Sequence, residues 1–222
     1  MRNLSLEGVS VHIGSQITSI EPFKKVLSVL NKIIKKTKIN FKFIDLGGGM
    51  GISYSANEKQ INLKVYAKLV NKFLKDKKSK VIFEPGRFII GNAAILISKI
   101  IYIKKNNNKK YIVLDAGMNN LMRPALYNAH HHIVPVNKEG KFSGNNLKFV
   151  GPICESTDKF SDQKTFSQIK EGDYVGLANV GAYGMTLSSN YNTRPTIAEI
   201  MVSGSKHKII RKRQSLEDLI KN

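Results

Sequence analysis

At residues 41–49 the chain reads Phe41-Lys42-Phe43-Ile44-Asp45-Leu46-Gly47-Gly48-Gly49, an apolar segment that runs directly into three glycines. The apolar segment predicts a strand over Phe41–Leu46. The glycines leave their backbone N–H groups open to a bound anion, because no side chain shields them. A tight turn after a buried strand would use the same residues. Alone, this motif leaves a phosphate site and a structural turn equally open.

The residues on both sides of this stretch alternate between short apolar strands and amphipathic helices, which is typical of a β/α architecture. The predicted elements are a strand over Gly8–His12, a helix over Glu21–Lys36, a helix over Leu63–Lys75 and a strand over Val81–Phe83. In the first helix, Pro22 fits the first turn and Ser19 is the candidate capping residue. The alternation therefore predicts a β/α-type architecture for the amino-terminal region.

Each predicted strand leads into a motif rich in glycine or polar groups. The motifs are His12-Ile13-Gly14-Ser15-Gln16, Asp45-Leu46-Gly47-Gly48-Gly49 and Glu84-Pro85-Gly86-Arg87. In β/α barrels the active site lies at the carboxyl ends of the strands. We therefore expect the three motifs to line one pocket.

After Gly91 the pattern changes to consecutive strands with turns rich in Asn, Gly and Lys. The apolar stretch Phe88–Ile103 is interrupted by polar residues and predicts a buried strand rather than a membrane span. The predicted fold is α/β plus β. Residues 1–90 form an incomplete β/α barrel, and residues 91–222 form a separate β-domain of the sandwich or barrel type.

The chain holds a single cysteine, in the stretch Gly151-Pro152-Ile153-Cys154-Glu155-Ser156-Thr157-Asp158. One thiol cannot form an intrachain disulfide, so Cys154 is either an inert small hydrophobe or a reactive group. The residue alone does not choose between them.

The formal charge is +20, from 36 Lys and Arg against 16 Asp and Glu. Such a charge is compatible with nucleic-acid binding, but the lysines are scattered without interleaved aromatic residues, so we expect no nucleic-acid partner and attribute the bias to genome composition. No secretion signal is recognisable, and we expect a cytoplasmic protein. His130, His131 and His132 raise the possibility of a metal site. Adjacent side chains on a strand face opposite ways, so a structural role is favoured and no metal is expected.

Together the motifs resemble the carboxyl-terminal half of the diaminopimelate decarboxylases, pyridoxal-phosphate-dependent enzymes of fold type III with a β/α barrel and a β-domain. Further segments that carry the resemblance are Asp115–Asn119, Arg123–Tyr127, Gly181–Met185 and Arg194-Pro195. It extends from about Gly8 to the end of the chain. The activity it implies is decarboxylation of meso-2,6-diaminopimelate to L-lysine and CO2, the last step of lysine biosynthesis. Ornithine, arginine or carboxynorspermidine remain alternative substrates.

The resemblance implies a pyridoxal 5'-phosphate site in which Gly48, Gly49 and Ser15 hold the phosphate. Glu84 would face the ring nitrogen, and the catalytic residue His12 would stack on the ring. The complete set of implied cofactor-binding residues is Ser15, Gly48, Gly49, Glu84, Pro85, Gly86, Arg87 and Tyr183.

The resemblance also implies how the substrate binds. Arginine suits a distal carboxylate because its planar fork can bind both oxygens, and Glu155 would pair with the distal ammonium. Cys154 would be the acid that reprotonates the carbon after CO2 leaves. The implied substrate-binding residues are Arg87, Arg123, Tyr127, Glu155 and Tyr183. In the family, Cys154 and Glu155 would reach into the site of a partner subunit, so a homodimer with shared active sites is implied.

Three strand–helix units cannot close an eight-stranded barrel, and the family's cofactor-binding lysine has no recognisable equivalent here. We therefore expect a fragment that lacks this lysine, with the amino-terminal half either encoded separately or lost. Two alternatives remain: an inactive remnant, and a non-catalytic protein that uses the β-domain to dimerise or bind.

Overall fold

Three short parallel strands and two amphipathic helices open the chain. The computed structural model describes residues 3–55, 58–107, 109–136, 146–163, 166 and 168–221. The chain divides into two units, Met1–Asn92 and Ala93–Asn222.

The first unit follows the predicted alternation of strands and helices. Its elements are β1 (Gly8–Ser10), α1 (Glu21–Thr37), β2 (Phe43–Asp45), α2 (Leu63–Leu74), β3 (Lys80–Ile82) and α3 (Gly86–Ile90). The strands lie in the order β1-β2-β3, and both pairs are parallel. All three strands therefore present their carboxyl ends at the same edge of the sheet.

One face of this sheet packs against the helices. The apolar residues of α1 and α2 recur at helical spacing, and the buried set consists of Phe23, Leu27, Leu30, Tyr66, Val70 and Phe73. They pack in one core with Ile44 of β2, which is fully buried. The rings of Phe23 and Tyr66 meet edge to face with their centroids 4.9 Å apart. This core fixes the strands and so fixes the loops that follow them.

The helix ends differ in how they are capped. Ser19 is not the cap of α1: the residue before the helix is Ile20, which makes no side-chain cap bond, and Pro22 occupies the first turn as predicted. At α2, Asn62 caps the helix, and its side chain accepts a hydrogen bond from Val65 N–H at 3.2 Å.

The stretch Phe88–Ile103 is not one buried strand. Phe88, Ile89 and Ile90 belong to α3, which begins just after Pro85, and a 3-10 turn over Gly91–Ala93 follows. Only from Ile95 onward does the chain become extended, and there buried and exposed residues alternate. The strand is covered on one face only, because it belongs to an antiparallel sheet.

The second unit is built on a six-stranded sheet. Its elements are β4 (Ile95–Asn106), β5 (Lys109–Leu114), α4 (Arg123–Tyr127), β6 (Ile133–Pro135), β7 (Leu147–Val150), β8 (Lys159–Gln163) and β9 (Tyr174–Ala178). The strand order is β6-β9-β4-β5-β7-β8, and each pair is antiparallel except the parallel pair β5 and β7. Ile100, Leu114, Phe149, Val175 and Leu177 lie fully buried at its centre.

The last elements are β10 (Glu199–Ser203), β11 (Lys206–Arg211) and α5 (Leu216–Ile220). β10 and β11 form a separate antiparallel hairpin. The apolar residues Ile200, Val202 and Ile209 of the hairpin are more than half exposed.

Candidate active site

The three glycines after β2 lie in close contact with the loops after β1 and β3. A Cβ added to Gly48 would lie 2.2 Å from the carbonyl oxygen of Glu84, and one added to Gly49 would lie 2.3 Å from that of Gly14. Gly49 also has a φ of +84°, which other residues rarely adopt. Only glycine therefore lets the three loops approach this closely.

His12 lies beside these glycines. The N–H of Gly48 donates to Nδ1 of His12 at 3.4 Å. This bond makes Nδ1 the acceptor, so the hydrogen of the neutral ring belongs on Nε2. The glycine backbone thus orients the exposed imidazole.

Arg87 joins the first and third loops. Its Nη1 donates to the hydroxyl of Tyr54 at 2.5 Å, and its Nη2 donates to Oγ of Ser15 at 3.2 Å. Tyr54 is buried, and the guanidinium lies 5.9 Å from its ring centroid. Ser15 and Arg87, 72 residues apart in the chain, are therefore brought together. Sequence reasoning missed Tyr54, which lies outside any recognisable motif.

The Glu84–Gly86 segment completes this edge of the first unit. The N–H of Glu84 donates to the carbonyl of Gly47 at 2.9 Å, and Glu84 is exposed. A Cβ added at Gly86 would meet no atom within 4 Å. The carboxyl ends of β1, β2 and β3 thus surround an open, glycine-lined surface that carries an imidazole, a hydroxyl, a carboxylate and a guanidinium.

In the second unit, Asp158 organises the loop that holds Cys154. Its carboxylate accepts the N–H groups of Met118 and Ile153, each at 2.7 Å, and its side chain is 3% exposed. Burial raises the pKa of Asp158, and the two N–H donors act in the opposite direction. Gly151 faces this carboxylate, and a Cβ there would lie 2.2 Å from Oδ2. Asp158 therefore fixes the backbone immediately before Cys154.

Cys154 is an exposed free thiol, and its neighbour Glu155 has a partner that the sequence did not reveal. The hydroxyl of Tyr191 donates to Oε1 of Glu155. This hydrogen bond, and then the charge of the carboxylate, raise the pKa of Tyr191. The polar run at residues 189–194 was the available signal, but only its Arg194-Pro195 end was recognised.

Arg123 is 6% exposed and lies next to a fully buried histidine. Its Nη1 is 3.0 Å from Nε2 of His131, and Nδ1 of His131 is 2.9 Å from the carbonyl oxygen of Ala178. Because arginine can only donate, Nε2 must accept and Nδ1 must carry the hydrogen. The three histidines precede β6 rather than lying on a strand, and His130 and His132 are exposed. His131 thus has a structural role in holding Arg123.

The two remaining predicted residues are exposed tyrosines. Tyr127 ends α4 and is 64% exposed. Tyr183 lies in a turn with a φ of +59°, an uncommon conformation for an aromatic residue. Of the other predicted substrate residues in this unit, Arg123 contacts His131 and Glu155 accepts from Tyr191.

In the part of the chain that the structure describes, no helix is both long enough and apolar enough to cross a bilayer. Nor does any group of three His, Cys, Asp or Glu side chains there have the geometry to hold a metal ion.

Comparison with known sequences gives a consistent result. Residues 22–181 match the family model "Pyridoxal-dependent decarboxylase, C-terminal sheet domain". The diaminopimelate decarboxylase of Aquifex aeolicus is 40% identical over 225 residues, which cover 99% of this chain and 53% of the relative. That of Zymomonas mobilis is 39% identical, with 99% and 53% covered. The chain thus spans about half the length of the relatives it matches.

Solved structures agree. The diaminopimelate decarboxylase from Helicobacter pylori complexed with L-lysine superposes with a TM-score of 0.88 at 38% identity, covering 96% of this chain and 53% of that one. The lysine/ornithine decarboxylase from Vibrio vulnificus complexed with cadaverine has a TM-score of 0.74 at 20% identity, covering 84% and 52%. The second match shows likeness of fold only.

Proposed function

The chain belongs to the pyridoxal-dependent decarboxylases, and we propose that it is the carboxyl-terminal part of a diaminopimelate decarboxylase, converting meso-2,6-diaminopimelate to L-lysine and CO2. The identity to diaminopimelate decarboxylases along almost the whole chain supports this. The Helicobacter pylori relative is complexed with L-lysine, the product of the proposed reaction. The observation that carries the proposal is the glycine-lined junction of three loops, in which Gly48 donates to His12 and Arg87 donates to Ser15.

The residues of this junction fit pyridoxal phosphate. Gly48 and Gly49 carry no side chain over their backbone, and Ser15 adds a hydroxyl; backbone N–H groups and hydroxyls suit a phosphate. The N–H of Gly48 donates to His12, so this glycine would also place the imidazole beside the cofactor. Glu84 would accept the hydrogen of the ring nitrogen, and His12 would cover the ring, with Pro85 and Gly86 completing this part of the site. When bound, the cofactor delocalises the negative charge left on the α-carbon as CO2 departs.

Two arginines serve the substrate in this proposal. Arg87, held by Tyr54 and Ser15, would bind a substrate carboxylate at the edge of the cofactor site. Arg123, held by His131, would bind a carboxylate together with Tyr127 and Tyr183. A guanidinium that is already oriented loses less side-chain freedom when it forms a bidentate pair.

Cys154 and Glu155 act at opposite ends of the substrate. The thiol of Cys154 would deliver the proton to the α-carbon, as a general acid. The carboxylate of Glu155 would bind the distal ammonium, which distinguishes diaminopimelate from substrates with one amino group. We further propose a cytoplasmic homodimer in which each chain lends these two residues to its partner's site, and an amino-terminal half that supplies the lysine.

The test uses this chain alone and with the amino-terminal half of the Aquifex aeolicus relative. With pyridoxal phosphate and borohydride, mass spectrometry should find no labelled lysine in the chain alone, and no CO2 should be released from meso-diaminopimelate. Adding the second half should restore CO2 release from diaminopimelate and not from ornithine or arginine.

Cys154→Ala in that mixture should lose turnover and keep cofactor absorbance. A folded mixture that binds cofactor without turnover would identify an inactive remnant. A stable dimer without cofactor affinity would instead identify a binding protein.

A further inference from the structure

Glu155 and Tyr191 are joined by a hydrogen bond that spans 36 residues of chain. Tyr191 is 46% exposed and opens a 3-10 turn over Tyr191–Thr193. A bond between two exposed side chains is usually loose, because both keep rotamer freedom. This one differs in how firmly both ends are held.

The backbone after Tyr191 adopts a conformation that the neighbouring bonds maintain. Asn192 and Thr193 have φ values of +60° and +55°, and this region is a true outlier for a β-branched residue. Strained residues of this kind persist only where the surroundings enforce them, and they concentrate at functional sites.

The enforcing contacts lie on both sides of the turn. Nδ2 of Asn190 donates to the carbonyl of Arg194 at 2.9 Å and to Oε1 of Gln214 at 2.6 Å. Nη2 of Arg194 donates to the carbonyl of Asp115 at 2.6 Å. The turn that presents Tyr191 is therefore clamped at each end.

The loop of Glu155 is held as well. Its N–H donates to the carbonyl of Ile153 at 2.8 Å, and its carbonyl accepts the N–H of Asp158 at 3.1 Å. Asp158 is itself buried and bonded to Ile153 and Met118. Both partners thus stand on rigid backbone. The bond uses Oε1, and a carboxylate has a second oxygen that can accept from a cation.

We propose that Tyr191 is a positioning residue that orients the Glu155 carboxylate toward the distal ammonium of the substrate, and so determines specificity for a substrate with two amino groups. This inference rests on the role given above to Glu155. The hydrogen bond to Glu155 raises the pKa of Tyr191, so the phenol remains a donor to a higher pH than an unpartnered tyrosine would.

The first test needs no activity. NMR of the chain labelled with ¹³C at tyrosine Cζ, with Tyr191→Phe to assign the signal, should show Tyr191 ionising at lower pH in Glu155→Gln than in the wild type, because the charge that opposes ionisation is gone. An unchanged titration in Glu155→Gln would overturn the proposal, because the two groups would then not interact in solution.

The second test uses the active assembly with two substrates, meso-diaminopimelate and 2-aminopimelate, which lacks the distal amine. Tyr191→Phe should lower kcat/KM for diaminopimelate about tenfold, mainly through KM, and leave 2-aminopimelate unchanged. Tyr102→Phe, at a tyrosine of similar exposure on β4, is the matched control and should change neither.

The two variants separate the two hypotheses. If Glu155→Gln leaves the preference for diaminopimelate intact, the proposed role of Glu155 fails. If Glu155→Gln loses the preference and Tyr191→Phe keeps it, only the role of Tyr191 is overturned. An equal loss on both substrates in Tyr191→Phe would mean a general structural effect and would also overturn it.

Discussion

Nη1 of Arg123 lies 3.0 Å from Nε2 of His131, with both side chains almost wholly buried. A guanidinium stays charged at any pH a protein meets, so it must find acceptors where water is excluded. His131 provides one and is in turn fixed by the carbonyl of Ala178 on β9. The arginine is therefore anchored to the central sheet of its unit.

His131→Ala should reduce the free energy of unfolding by about 2–4 kcal/mol, because it leaves a cavity and removes an acceptor from a buried charge. Urea unfolding followed by circular dichroism measures it. His130→Ala, at the exposed neighbour, should stay within about 0.5 kcal/mol of the wild type. Equal losses in both variants would contradict the buried pair.

Gly48→Ala should destabilise the first unit by about 1–3 kcal/mol, because its Cβ would overlap the carbonyl of Glu84 and force the loops apart. At Gly86, where a Cβ meets no atom within 4 Å, the same change should be neutral or stabilise by up to about 1 kcal/mol through reduced freedom of the unfolded chain. Thermal unfolding of the two variants compares them directly. A stable Gly48→Ala protein would mean that the three loops are not packed this closely.

Asp158 gives a pH dependence with a defined sign. Burial raises its pKa in the folded state above the value of about 3.9 expected when unfolded. The folded state then binds more protons between these two pKa values, so the contribution to stability is complete below the unfolded pKa and is lost as pH rises through the folded one.

The free energy of unfolding of the wild type minus that of Asp158→Asn should therefore fall as pH increases from about 3.5 to about 7. Urea titrations at several pH values give this difference. A difference that grows with pH would show that the two N–H donors outweigh burial.

Asn62→Ala should lower the free energy of unfolding by about 1 kcal/mol, because the N–H of Val65 loses its acceptor at the start of α2. Asn71→Ala, on the exposed face of the same helix, should instead raise the free energy of unfolding by about a few tenths of a kcal/mol, because alanine has the higher helix propensity. Opposite signs in the two variants would isolate capping from propensity.

Local patterns carried most of what the sequence could predict. The periodic apolar residues of α1 and α2 identified the helices, because a helix that buries one face has apolar residues at helical spacing in its sequence. The glycines after β2 were recognisable because few other arrangements need three in a row. Ser19 was wrong as a cap because the helix begins at Glu21, which puts Ile20 at the capping position.

Most contacts between distant segments could not be predicted. Tyr54 and Tyr191 meet partners 33 and 36 residues away; no motif marks Tyr54, and the polar run around Tyr191 does not identify Glu155 as its partner. The guanidinium of Arg123 suggested a carboxylate ligand, but only the fold reveals that His131 contacts this guanidinium. Roles could be predicted from the types of the residues. The neighbours that hold those residues in place depend on tertiary packing, which the sequence pattern does not show.

The sheet of the first unit ends at β1 on one side and at β3 on the other, each with a row of backbone groups that no strand of the described chain pairs. Such a row of unpaired backbone groups is a template for pairing with a strand of another chain. The formal charge of +20 pushes copies of the chain apart, but over a distance that shrinks to about 8 Å at physiological ionic strength. Added salt should therefore make this protein less soluble. It screens the repulsion between chains but does not change the unpaired strand edges.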